Sequence, residues 1–246
     1  MSSAKDIRIE PVSSQDAMRI VRRFHYSGRV VQNSQLHLGV FIDGRCEGAM
    51  SFGPSLDKRK VQGLVAGTSW NSFLELNRMA FSDALPRNSE SRALSIAFRV
   101  IRKQYPHIDW IVSFSDATMS GDGAIYRAAG FVLTGLKKND QTWVSPTGEV
   151  RSRMTMTNIT SSRKGGGASS MKRYIDEGWT VLPGFQLRYV KFLNPDARAR
   201  LTVPVLPFSA IDEAGARMHR GVARPSVDSV GAGVEGSAGA SEPATP

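Results

Sequence analysis

An apolar run that stops abruptly on polar groups is the tightest constraint in this sequence. Trp110, Ile111 and Val112 are followed at once by Ser113, Phe114, Ser115 and Asp116. Apolar residues in succession, without alternation, describe a strand covered on both faces, which places them inside a sheet. Hydroxyls and a carboxylate at the carboxyl end describe a strand leaving the core at a crevice, where open α/β sheets bind ligands. The next segment, GDGAIYRAAGF (121–131), reads as a short helix. Asp122 lies near its start, Ile125 and Ala129 share a face, and Gly130 stops it. Tyr126 lies on that helix. Two readings stand side by side: a strand–turn–helix whose carboxylate is satisfied locally, or a site built on Asp116 and Tyr126.

A chain of 246 residues can bury one sizeable core with an appended segment. Its single cysteine, Cys46, excludes an intrachain disulfide and a multi-cysteine zinc site. The reducing cytoplasm is therefore the expected compartment. No apolar stretch reaches the ~18 residues of a membrane span, and MSSAKDIRIEP lacks the pattern of a secretory signal. No membrane partner is expected. The formal net charge is +10, and beyond residue 220 only Arg224 faces Asp228, Glu235 and Glu242, so the cationic excess lies earlier. That excess favours a polyanionic partner such as nucleic acid, with a merely solvated basic surface as the alternative.

Around the central stretch, strands and helices alternate. Residues 7–12 (IRIEPV) read as an edge strand that Pro11 keeps short. Ser13 or Ser14 caps a helix with Ala17, Ile20, Val21 and Phe24 on one stripe. It fails at HYSGR, leaving His25 and Tyr26 at its exit. His25 is either a polar group at a helix carboxyl end or a member of a site. LHLGVFI and CEGAMSF flank Asp43-Gly44, a hairpin signal, and Cys46 reads as a small buried residue. Lys58, Arg59 and Lys60 are either a solvated loop or a phosphate contact. FLELNRMAFS (73–82) reads as a central strand whose Glu75, Asn77 and Arg78 border the site, because buried charges must be paired or face a cleft. Asn88 or Ser89 caps a helix over 90–104. Its start, with Arg87, Ser89 and Arg92, is a candidate phosphate cradle for a cofactor.

Residues 151–200 are dense in Lys and Arg. They include SSRKGGGASS, a flexible loop, then a helix ended by Gly178 and an alternating strand, GFQLRYVKFL. Tyr174, Trp179, Phe185, Tyr189 and Phe192 interleave with Lys172, Arg173, Arg188 and Lys191. The mixture is either a DNA-binding surface of phosphate contacts and stacking rings, or basic residues among core aromatics. LTVPVLPFSAI (201–211) reads as an extended strap, and 221–246 as a disordered tail. The chain is thus an α/β protein with a core over 1–150, a basic α/β extension over 151–220 packed on it, and a tail.

The order of elements and the segment from Ala124 to Phe131 resemble the GNAT acyltransferase superfamily, a mixed central sheet flanked by helices. A narrower resemblance rests on FHYSGR (24–29), LELNRMAF (74–81), FSDATMSGDGAIYRAAGF (114–131), GWTVLPGFQLRYVKFLNP (178–195) and RLTVPVLPFSAI (200–211). Together these blocks resemble the bacteriophage Mom DNA-modification family. The resemblance implies conversion of adenine in double-stranded DNA to N6-carbamoylmethyladenine, which protects phage DNA from restriction in the host cytoplasm. It implies a site containing Tyr26, Asp116 and Tyr126, with His25 and one of Ser113 and Ser115. It also implies an association with iron, for which the sequence shows no ligand spacing. Where the superfamily has a glycine-rich coenzyme A loop, this chain has SDALPRNSESR (82–92). The expected donor is therefore an unusual acyl or aminoacyl carrier, with glycyl-tRNA as a possible carrier RNA, in preference to acetyl-CoA. The alternatives are an N-acyltransferase for a protein or small-molecule amine, and a non-enzymatic DNA-binding protein.

Overall fold

The computed structural model of the chain describes residues 2–161, 169–219 and 222–223. Strand β1 (Arg8–Pro11) leads into helix α1 (Ser14–Phe24), the hairpin β2 (Leu36–Ile42) and β3 (Arg45–Gly53), and the short helix α2 (Lys58–Gln62). Strand β4 (Phe73–Phe81), helix α3 (Ser89–Gln104), strand β5 (Trp110–Ala117), helix α4 (Ala124–Ala128) and strand β6 (Val132–Lys138) follow. Then come β7 (Thr142–Val144), β8 (Val150–Ser152), α5 (Arg153–Ser161), α6 (Ser169–Asp176), β9 (Thr180–Val181) and β10 (Phe185–Phe192). Helices α7 (Asp196–Ala199) and α8 (Ser209–Glu213) precede the short pair β11 (Met218–His219) and β12 (Val222–Ala223).

Among the described residues the main sheet has seven strands in the order β1-β2-β3-β4-β5-β10-β6. Its neighbours are antiparallel except β4 and β5, which are parallel. The run Trp110–Val112 is fully buried at its interior. Ile111 faces a core with Leu38, Phe52, Leu94, Phe98 and Ile101. Trp110 and Val112 face a second core with Val61, Val65, Phe73 and Val190. Burying side chains of this size contributes ~1.5–3 kcal/mol each, so the run anchors both layers at once. Trp110 stacks on Phe73 at 4.5 Å between ring centroids and donates its indole N–H to Thr68 Oγ1 at 3.1 Å. Helix α3 supplies Ala93, Leu94, Ala97, Phe98 and Ile101 to the first core, while α1 packs across β2, β3 and β4. The expected mixed sheet flanked by helices is what the chain forms.

Several local expectations hold. Ser13 caps α1 by accepting from the Asp16 N–H. Asp43 and Gly44 turn the hairpin with φ of 48° and 77°, the double positive φ that an Asp-Gly turn supplies. β1 sits at one edge and β4 at the centre. Others change. Lys58, Arg59 and Lys60 lie in α2 rather than a loop, and Lys58 reaches Asn71 at 3.2 Å and the Trp70 ring. Asn88 precedes α3 in the left-handed region, φ 70°, without a side-chain cap bond.

The basic segment beyond residue 150 contributes a strand to this main sheet. β10 is inserted between β5 and β6, in register with β5 from Phe185↔Ala117 to Phe192↔Trp110. It covers what would otherwise be an open edge of β5. The intervening residues form a three-stranded sheet, β8-β7-β9, with α5 and α6 and a small core of Met156, Tyr174 and Trp179. Tyr174, Trp179 and Tyr189 are therefore buried rings, and no stacking surface is made from them. Their alternation with Lys and Arg is the alternation of inside and outside. Residues 201–211 run as the expected strap, with Thr202 donating to Leu64 O at 2.9 Å and Leu206 to Leu133 O at 2.9 Å. The tail expected over 221–246 lies outside the described residues, except that Met218 and His219 pair with Ala223 and Val222. Part of SSRKGGGASS, residues 162–168, also lies outside them. Among the described residues no helix is long and apolar enough to cross a membrane.

Candidate active site

The crevice follows from how β4 and β5 part. They pair only at Phe73↔Trp110, Leu74↔Ile111 and Glu75↔Val112. Beyond that, β4 stays with β3 as far as Gly48↔Phe81, and β5 stays with β10 as far as Ala117. Two parallel strands that diverge after three pairs leave a wedge at their carboxyl ends, the place where such sheets take ligands. Asn77, Arg78 and Met79 line one wall and Phe114, Ser115 and Asp116 the other. His25 and Tyr26 close it from the end of α1, and residues 120–126 from α4 and the loop before it. The cavity holds about 450 Å3.

Asp116 is held from two sides. Its Oδ1 accepts from the Thr118 N–H at 3.0 Å and from Gln186 Nε2 at 2.9 Å. Its Oδ2 accepts the Tyr26 hydroxyl at 3.4 Å. Gln186 is directly opposite Asp116 in the β10–β5 register, so the insertion of β10 delivers it. Burial pushes the Tyr26 phenol up to about 12, and the Asp116 carboxylate adds to the push. Tyr126 is also raised, by burial above all. The neighbouring Ser113 hydroxyl opposes that push, yet its geometry falls short of a hydrogen bond and leaves Ser113 Oγ buried and unpartnered. Both phenols are therefore neutral donors near pH 7. Burial, with Arg78 as a lesser cause, lowers His25 to about 4, so its imidazole is neutral. The Ser27 N–H donates to His25 Nδ1 at 3.2 Å, which puts the ring proton on Nε2.

Arg78 is the cation of the crevice. Its Nε donates to Arg29 O at 2.9 Å and its Nη1 to Asn77 O at 2.7 Å, fixing the plane of the guanidinium. Burial lowers its pKa, and the surrounding Tyr26, Glu75 and Tyr126 counter that. Helix α4 is anchored beneath the site. Asp122 accepts from the Ala124 N–H and pairs with Arg127 at 3.2 Å, while its carbonyl accepts the Tyr189 hydroxyl at 2.5 Å.

The structure thus gathers Asp116, Tyr126, Tyr26, His25 and Ser115 around one cavity. Ser115 spends its hydroxyl on Gly121 O at 2.6 Å, fastening the loop that follows Asp116. The three residues expected to cradle a cofactor phosphate do not converge. Arg87 is exposed, Ser89 is buried with an unpartnered hydroxyl, and Arg92 donates to Lys5 O. Nor do the four expected DNA contacts form one patch. Arg188 donates to Thr134 Oγ1 and Thr134 O, and Lys191 to Gly130 O, all on the main sheet side. Lys172 and Arg173 are exposed on α6, where Arg173 pairs with Glu177. Gln186 and Glu90 were missed as lining or holding groups. Among the described residues no three His, Cys, Asp or Glu side chains group to share a metal ion.

Tyr26, Arg78 and Asp116 have a second side. They also line a cavity of about 670 Å3 between the loop after α1 and the β8–α5 junction. Arg29 spans this cavity's rim, its Nη1 donating to Thr155 Oγ1 at 3.1 Å and to Ser152 Oγ at 3.4 Å.

Comparison with known proteins adds the following. The family model of the Mom protein family matches residues 6–210. The methylcarbamoylase mom of Escherichia phage Mu is 38% identical over 198 residues, which is 80% of this chain and 80% of that protein. Among solved structures, the ribosomal-protein-S18-alanine N-acetyltransferase of Escherichia coli is 11% identical with a TM-score of 0.43, over 76% of this chain and 94% of that one. An N-acetyltransferase of Staphylococcus aureus Mu50 is 10% identical with a TM-score of 0.44, over 76% and 99%.

Proposed function

The chain belongs to the Mom protein family, and from that premise we propose that it is a transferase that modifies adenine in double-stranded DNA. The product is N6-carbamoylmethyladenine, which shields phage DNA from host restriction. The observation that carries this reading is the 38% identity to a phage methylcarbamoylase over 80% of both chains. The chemistry of the crevice supports it.

The exocyclic amine of adenine is a poor nucleophile because its lone pair is delocalised into the ring. Bond formation at that nitrogen requires a proton acceptor on the amine and relief of charge on the electrophile's oxygen. Asp116 is the acceptor, oriented by Gln186 and Thr118. Tyr26, pushed up to about 12, keeps its proton and donates a hydrogen bond to Asp116 or to the substrate in its place. Arg78, with its plane fixed, faces the oxygen on which charge develops. Tyr126, a neutral phenol on the same cavity, relays a proton or donates to the leaving group.

A glycyl group and a carbamoylmethyl group contain the same atoms. A glycyl carrier, glycyl-tRNA in the simplest case, therefore supplies the whole substituent, with a rearrangement after transfer. An acetyl donor lacks the nitrogen. Glu90, in the first turn of α3 and lining the cavity, also disfavours a pyrophosphate at that helix end. Nucleoside mass spectrometry of plasmid DNA from cells expressing the protein tests the reading. A carbamoylmethyl adduct on adenine is expected. Unmodified adenine in the presence of folded protein would overturn it, as would modification of a peptide or small amine instead.

A further inference from the structure

The two cavities that meet at Tyr26, Arg78 and Asp116 differ in charge and in wall chemistry. The one between β4 and β5 is lined by Glu90, Asp116 and the Arg127-paired Asp122, against Arg78 alone. The one beside the β8–α5 junction is lined by Arg29, Arg78 and the Glu149-paired Arg151 against Asp116 alone. A phosphate backbone is repelled from the mouth of the first and drawn to the second. The second also has apolar walls open to solvent: Leu56 is 72% exposed, Met154 53% and Val150 36%. Side chains this apolar, exposed around a concavity of about 670 Å3, mark a place where something flat and apolar is covered. Gln32, Asn33, Thr142 and Ser152 add amide and hydroxyl groups along the same lining, the complement of a base edge.

An adenine amine stacked inside a duplex is out of reach of the Asp116 carboxylate, which is part-buried and lines both cavities, so the base must leave the stack. With the reacting end of the donor in the β4–β5 wedge, where such sheets take ligands, we propose that the cavity bounded by the loop after α1 and the β8–α5 junction is the acceptor pocket, holding the target adenine rotated out of the duplex. Tyr26, Arg78 and Asp116 are then the shared wall across which the group passes. Leu56 and Met154 flank the base, and Arg29 and Arg151 at the rim meet the phosphates on either side of it. The small sheet β8-β7-β9 exists, on this assignment, to build the far wall of the acceptor pocket. The inference rests on the reading that DNA adenine is modified, and it adds which cavity takes which partner.

The test uses full-length protein and two duplexes, one carrying 2-aminopurine in place of target adenine and read by fluorescence and by anisotropy for binding, the other carrying adenine and read by nucleoside analysis for modification. Wild type should raise the fluorescence on binding, as a base leaving the stack does. The double variant Leu56→Ala, Met154→Ala removes two exposed walls, so folding is not at issue. It should bind duplex within about twofold of wild type, lose the fluorescence rise, and lose modification by tenfold or more. Glu90→Gln, on the other cavity, should keep the rise. Wild-type modification of adenine with the double variant equal to it in both fluorescence and product would overturn the pocket. So would a double variant that keeps the fluorescence rise but fails to bind glycyl-tRNA, because the second cavity would then be the carrier's. Absence of modified adenine from wild type itself counts against the proposed function instead, with the fluorescence still reporting on the pocket.

Discussion

Replacing Asp116 by Asn separates chemistry from architecture, because the structure fixes what each part should cost. The carboxylate makes three contacts: Thr118 N at 3.0 Å and Gln186 Nε2 at 2.9 Å to Oδ1, and the Tyr26 hydroxyl at 3.4 Å to Oδ2. An Asn carbonyl oxygen can take the place of Oδ1 and keep the first two. Its amide then faces Tyr26, whose oxygen can accept. Folding therefore loses only the charge assistance in these bonds, at most ~1–2 kcal/mol, or a few degrees in melting temperature. Catalysis loses its proton acceptor, for which ~10²–10⁴-fold is expected, equivalent to ~3–5 kcal/mol of barrier. Duplex binding should not fall, since one anion has been removed. The assay is nucleoside mass spectrometry of DNA modified by wild type and variant at equal folded protein, with melting curves alongside. A second readout comes from tyrosinate absorbance against pH. Tyr26 is held up to about 12 by burial first and by Asp116 second, so in the variant it should titrate lower yet stay above ~10. Wild-type levels of modified adenine in a variant with this shifted tyrosine would refute Asp116 as the acceptor. A large loss of melting temperature with no shift would refute the geometry.

Other outcomes follow from the same coordinates. His25, lowered to about 4, contributes stability that is full above its unfolded value of ~6.5 and is lost as pH falls through about 4. Melting curves from pH 7 to 4 should therefore fall less steeply for His25→Gln than for wild type. A Cβ on Gly123, at φ +79°, would enter the ring of Tyr189 beneath α4. Gly123→Ala should cost ~1–3 kcal/mol in denaturant titrations, through overpacking and backbone strain together. The expected DNA cations should divide by role. Lys172→Gln with Arg173→Gln should lower the log–log salt slope of duplex binding by ~0.9 per phosphate contact removed. Arg188→Gln, which releases Thr134, should lower the melting temperature before it alters that slope.

What the sequence disclosed was what local pattern encodes. The run Trp110–Val112, the Asp43-Gly44 turn and the polar interruptions of β4 each follow from burial or backbone geometry over a few residues. Even the division among the hydroxyls was present in the alternation. Ser113 and Ser115 share the face of Ile111 and Ala117, which lie in the main core. Asp116 shares the other with Phe114, which is 43% exposed. Period two sets the serines on one face of β5 and the carboxylate on the other, and Ser115 fastens Gly121. What the sequence withheld was pairing at a distance. Nothing local in GFQLRYVKFL says that it enters the sheet between β5 and β6, yet that insertion sets Gln186 on Asp116 and Arg188 on Thr134. A strand rich in cations and aromatics looked like a binding surface because its neighbours were unknown.

The same long-range fact explains why the site lies where it does. β5 has a partner along its whole length on the β10 side but only three register pairs on the β4 side. Its backbone can therefore leave β4 without losing the ladder that holds it, and the wedge that opens costs the sheet no edge. Asp116 comes out of that wedge at the end of a strand rigid through Val112, gripped by Gln186 from the strand that made the opening possible. A carboxylate placed by a central strand and clamped by its neighbour has little freedom to move on binding, which is what proton transfer to a weak amine demands. Gln186→Leu should therefore leave Asp116 charged and present but loosely oriented. Modification should fall by tenfold or more with duplex binding intact, and Gln186→Glu, which sets like charges together, should not restore it. Full activity in Gln186→Leu would show that the clamp serves the fold and not the reaction.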